Sequence, residues 1–131
     1  MRSKMSLIFY YMKYPELIDL VATIKSDDLE NDKEGIIISY LIDSGGASLE
    51  SHIELLEESI CKLEDLSISN ADISSNSYGS EIVNNIVKIY FLYDEDKEYE
   101  INRLDLLRII KSWVEFMKKK PIEKYQEKYD L

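Results

Sequence analysis

Apolar positions recur along this chain with a period that switches between two and about 3.6, and each switch marks an element. Residues 5 to 13 carry bulky and aromatic side chains that suit a strand. Pro15 then opens a helix, where its missing N–H is harmless, and Leu17, Leu20, Val21 and Ile24 supply one apolar stripe. Ser26 to Glu34 is polar and reads as a solvated loop. Residues 36 to 42, Ile-Ile-Ile-Ser-Tyr-Leu-Ile, are apolar on both alternating faces and predict a central strand. Ser44-Gly45-Gly46 ends it. Ser48 caps a helix over 48 to 64 in which Leu49, Ile53, Leu56, Ile60 and Leu63 recur at steps of four, three, four and three.

From Leu66 to Ser80 the chain turns to Ser, Asn and Asp, a loop with room for a short edge strand. Residues 82 to 93 read as one long strand with Val87, Ile89, Phe91 and Tyr93 on one face, and Tyr99 and Ile101 resume the alternation after a charged turn, making a hairpin. Asn102 with Asp105 resembles a capping box for a helix over 103 to 119, buried along Leu106, Ile110, Trp113 and Met117 and widened by Leu107 and Val114. Lys118 to Lys120 complement its C-terminal dipole. Pro121 starts a last short helix with Ile122, Tyr125 and Tyr129 on one side. With no repeat and no linker, the expectation is a single α+β domain over residues 1–131. It has an antiparallel or mixed sheet of about four to five strands, with three main helices packed mostly on one face.

Composition agrees with one core, since 45% of the 131 residues are hydrophobic. Acidic residues outnumber basic ones 26 to 16, and a formal charge of -10 disfavours nucleic acid and anionic lipid as partners. The acidity has an address: residues 1–102 hold 21 acidic and 8 basic side chains, residues 103–131 hold 5 and 8. A single cysteine, Cys61, with 4 Gly and 2 Pro, is no disulfide scaffold and fits a reducing cytoplasm. Arg2 and Lys4 ahead of Leu7 to Met12 imitate a signal peptide, but Lys13-Tyr14-Pro15 offers no small-residue cleavage site. No apolar segment approaches the roughly 20 residues that span a bilayer, so no membrane partner is expected.

Asp43-Ser44-Gly45-Gly46 copies the nucleophile motif of trypsin-like serine proteases. A triad also needs a base and an acid held by a scaffold, whereas the one histidine, His52, lies a turn into the next helix. A strand-to-helix turn using glycine at positive φ is the expected reading. Lacking Lys or Arg, that turn is also a poor phosphate site. Asp28, Glu30, Asp32 and Asp94, Asp96, Glu98 alternate as calcium ligands do, yet the sixth positions are Lys33 and Tyr99 instead of glycine. His52 and Cys61 stand too isolated for zinc and are expected as a surface histidine and a core-flanking thiol. No catalytic residue, metal or cofactor is expected.

What remains is acid in three clusters: Asp27, Asp28, Glu30 and Asp32; the outer helix face Glu54, Glu57 and Glu58; and Asp94, Glu95 and Asp96 at the hairpin. Such a surface steers a basic protein partner into place. Within residues 86–119, the run Ile-Val-Lys-Ile-Tyr-Phe-Leu-Tyr, a charged turn, Tyr-Glu-Ile-Asn and then Leu-Leu-Arg-Ile-Ile-Lys-Ser-Trp-Val-Glu-Phe resembles small immunity proteins of bacterial polymorphic-toxin and contact-dependent growth-inhibition systems. Many of these close with a helix bearing a Trp and, three residues later, an aromatic, here Trp113 and Phe116. The resemblance implies a cytoplasmic inhibitor that occludes the active site of a cognate protein toxin, often a basic nuclease. The alternative is an acidic secretion chaperone that holds an effector segment as a dimer.

Overall fold

A computed structural model describes residues 6–13, 20–27 and 32–130, apart from the side chains of Asp32, Lys33 and Glu95. Strand β1 (Ser6–Met12) turns Leu7, Phe9 and Tyr11 into the core, as its alternation requires. It is the middle strand of an antiparallel sheet ordered β2-β1-β7, flanked by β2 (Val21–Ser26) and β7 (Gln126–Asp130). Ile24 lies opposite Phe9, and Tyr129 opposite Leu7.

Both flanking strands correct a helix expectation. Val21 and Ile24, assigned to a helix opened by Pro15, belong to β2, while residues 14–19 lie outside the described residues. The supposed helix after Pro121 is irregular up to β7, with Lys124 at a φ of 69°. Pairing along β1 satisfies these short segments' backbones better than one or two isolated helical turns would.

The 36–42 run is the largest correction, because it is helix and not strand. α1 (Asp32–Ile42) begins inside the expected acidic loop, and Glu34, Ile37, Tyr40 and Leu41 are its buried residues. Their spacing of three, three and one is helical, and neighbours Ile36 and Ile38 are partly buried, so the helix is apolar on several sides. A short apolar run carries no period of its own.

α2 (Leu49–Glu64) forms where expected, with the Ser48 hydroxyl accepting from the Ser51 N–H. Its buried face is rotated by one residue, to His52, Leu56, Ser59 and Leu63, and leaves Leu49 exposed. The second sheet is antiparallel in the order β3-β4-β5-β6, formed by β3 (Asn70–Asp72), β4 (Tyr78–Val83), β5 (Ile86–Phe91) and β6 (Asp94–Asn102). The single strand expected over 82 to 93 is therefore a hairpin, bent at Asn84-Asn85, where Asn84 takes the left-handed φ of 56° that asparagine tolerates. α3 (Arg103–Lys118) follows directly, and the Asn102 side chain accepts from the N–H groups of Leu104 and Asp105. Among the described residues the fold is α+β, with three helices and two antiparallel sheets.

Trp113 and Phe116 of α3 pack on the first sheet through Phe9, with ring centroids 5.3 and 5.6 Å away. Arg103, nearly fully buried at the start of α3, fastens the second sheet to the helices. All five of its N–H donors meet main-chain carbonyls: Nε reaches Leu63 at 3.0 Å, one terminal nitrogen Ile68 at 2.7 and Asn84 at 3.1 Å, the other Lys62 at 3.0 and Asp65 at 2.9 Å. One side chain thereby closes the C-terminus of α2, the following loop and the β4–β5 turn.

Candidate functional site

The tight Asp43-Ser44-Gly45-Gly46 turn joins helix to helix. The Asp43 carboxylate accepts from the Ser75 hydroxyl at 2.7 Å and the Ser77 N–H at 2.5 Å, clasping the loop ahead of β4. Gly45 has a φ of 60°, and a Cβ there would stand 2.8 Å from Asn76 Cβ, so both backbone angle and space call for glycine. The tetrapeptide is occupied in structure.

Two further expectations reverse. His52 is buried and Cys61 is exposed, as the rotated face of α2 dictates. The His52 Nε2–H donates to the Leu41 carbonyl at 3.0 Å, and so does the Trp113 Nε1–H at 3.0 Å. Two ring N–H groups thus satisfy a carbonyl at the C-terminus of α1 that has no helical donor. His52 Nδ1 is buried and has no partner among the described residues. Burial lowers the His52 pKa from its ordinary 6.5, opposed by the Leu41 hydrogen bond and by Asp43. Above the unfolded-state pKa both states are neutral; below it the unfolded chain takes the proton first, so stability falls as pH drops below about 6.5. His52→Gln keeps a donor for Leu41, and a urea series over pH should show this early decline flattened; an unchanged decline would assign it to other groups.

Buried carboxylates are rarer and more specific. Glu34 accepts from the Ser6 N–H at 3.3 Å and from the Ser26 hydroxyl, tying α1 to the first sheet. Burial raises the pKa of Tyr99, with smaller contributions from Glu34 and Asp105. Neither carboxylate lines the cavities described below. Among the described residues, no group of three or more His, Cys, Asp or Glu side chains is placed to hold a metal, and no helix is long and apolar enough to cross a membrane.

The acidic clusters part company in three dimensions. Asp27 is paired with Lys128 at 3.2 Å, Asp28 and Glu30 lie outside the described residues, and Asp32 begins α1. On α2, Glu54, Glu57 and Glu58 are exposed, with Glu57 paired to Lys118 of α3 at 3.3 Å. The hairpin group faces α1 instead. A groove of about 590 Å³ separates Gly35, Ile36 and Ser39 of α1 from Asp96, Lys97 and Glu98 of β6, with Tyr78 as its aromatic wall. Asp94 accepts from the Asp96 N–H at 3.2 Å beside it, and no residue of α2 lines it. The third cluster is therefore set beside α1, while Asp27 lies at the first sheet with Lys128 and the α2 face stands apart from the groove.

Aromatic rings lead outwards from the groove. Tyr78 stands 5.2 Å from Phe91, and Phe91 5.4 Å from Tyr93, which is 81% exposed. Sequence alternation had placed Tyr93 on the face of Phe91, inside the strand. The signal that marks it is an apolar pair, Leu92-Tyr93, set immediately before an acidic run. A second cavity, about 270 Å³ and mostly apolar, lies elsewhere, lined by Tyr11, Val21, Ile42, Leu49, His52 and Trp113 among others.

Among known proteins, an uncharacterized protein of Pasteurella multocida strain Pm70, PM0491, is 31% identical over 126 residues, covering 94% of each chain. No solved structure matches. Residues 5–130 match the model of a family of unknown function, DUF5376, and with nearly the whole fold inside that match the chain belongs to this family.

Proposed function

We propose that this protein is a cytoplasmic immunity protein that binds a cognate, basic toxin domain and blocks its active site. The observation that carries the reading is the groove between α1 and β6, where Asp96, Lys97 and Glu98 line an opening walled by Ile36 and Tyr78, with Asp94 next to Asp96. Acid beside exposed aromatic surface is the anatomy of a steered, anchored protein interface. The resemblance over residues 86–119 and the net charge of -10 support the same partner. With the protein encoded by the reading frame directly upstream as probe, Asp94→Lys with Asp96→Lys should slow association at low salt by about tenfold or more. Asp27→Lys should slow it less, since Lys128 already offsets that charge. Association at the wild-type rate for the hairpin variant would remove this surface from the interface.

The alternative, a secretion chaperone, draws on the 270 Å³ apolar cavity, at whose mouth Val21, Ile42 and Leu49 are 37, 40 and 55% exposed. Such chaperones act as dimers, so a monomer in sedimentation counts against it.

A further inference from the structure

The tip of the β5–β6 hairpin breaks a local rule for little gain to the fold. Phe91 pairs with Asp94, so Leu92 and Tyr93 are the two central residues of a tight turn. Such turns favour Asn, Asp and Gly, and this chain obeys that preference at Asn84-Asn85. At 92–93 it seats two bulky apolar residues, neither at positive φ, and the strands are fitted to them by a bulge in which Tyr90 pairs with Glu98 while residues 95 to 97 are left over. Tyr93 is 81% exposed and contributes little burial, and Leu92, at 47%, is only about half covered. A locally unfavourable choice with so little structural return marks a functional position.

We infer that Leu92 and Tyr93 form the anchor of the interface, a projecting plug that enters an apolar pocket with a basic rim on the partner protein. The inference rests on the protein-partner reading above. Charge supplies the complementarity: Asp94, Asp96 and Glu98 surround the tip, with Lys97 as the nearby cation. Tyrosine is an efficient anchor, because it buries a large rigid area for little lost side-chain freedom. Phe91, 5.4 Å from Tyr93, holds its base.

The test compares the wild-type protein, Leu92→Ser with Tyr93→Ser, and Asp94→Asn with Asp96→Asn, each mixed with the purified protein encoded by the upstream reading frame, with both rate constants recorded. The tip variant should dissociate about 100-fold faster while associating within about threefold of wild type. The acid variant should do the reverse, losing association rate, and a wild-type urea midpoint for each shows the fold intact. Dissociation of the tip variant within about threefold of wild type overturns the anchor and leaves the partner reading standing. No complex with the wild-type protein overturns both. A wild-type dimer that the tip substitutions dissolve would make the occupant a second copy, which also overturns it.

Discussion

Arg103→Lys is expected to lower the stability of the fold by roughly 2–5 kcal/mol, although it keeps the charge and most of the length. A guanidinium presents five N–H groups in one plane, and all five are used here, on the carbonyls of Lys62, Leu63, Asp65, Ile68 and Asn84. An ammonium has three donors in a tetrahedral arrangement. The Asp65 carbonyl keeps the Ile68 N–H at 2.9 Å, but of the other four at least one loses its partner and the rest are met in poorer geometry; a buried acceptor left unmade costs about 1–3 kcal/mol. For a domain whose total stability is on the order of 5–15 kcal/mol, that is a large share. The loss is read as a lower urea midpoint, with Trp113 fluorescence as the probe. An Arg103→Lys protein with the wild-type midpoint would show that these contacts carry no net stability.

Truncating the central ring should cost about as much. Trp113 is 1% exposed, packs on Phe9 and donates to Leu41. Trp113→Ala leaves a large cavity and should destabilise by about 3–5 kcal/mol. Trp113→Phe separates packing from hydrogen bonding. It keeps most of the ring volume, and the Leu41 carbonyl retains the His52 donor at 3.0 Å, so about 1–2 kcal/mol is expected. Thermal unfolding followed by circular dichroism should rank wild type above Phe above Ala; equal losses for Phe and Ala would place the energy in the N–H rather than the ring.

The helices with both a cap and a long stripe were legible from the residues alone. Ser48 and Asn102 each accept the N–H groups expected of them, and the stripes of α2 and α3 run for several turns. Short segments were not. Ile36 to Ile42 is too apolar to reveal a period, and only its packing among both sheets makes it a helix. Val21 to Ser26 and Gln126 to Asp130 are strands because β1 lies between them, a fact about residues distant in sequence. For the site, the sequence located the carboxylates but not their neighbours. Counting alternately from Val87 put Tyr93 inside, and the turn at 92–93 puts it out. Glu34 reads as one more loop acid yet is fully buried, because helix α1 begins two residues before it.

In the function proposed above, an acidic hairpin end, built by α1, β5 and β6, captures a basic protein. Its physics is long-range attraction followed by short-range anchoring, and the two depend differently on salt. The most direct test is the association rate constant of the wild-type protein with the protein encoded by the neighbouring upstream reading frame, measured across ionic strength. Capture steered by this surface predicts a rate that falls about tenfold or more between roughly 0.01 and 0.15 M salt, as screening shortens the reach of the charges. A rate that stays flat across that range, or the absence of any complex, would contradict it.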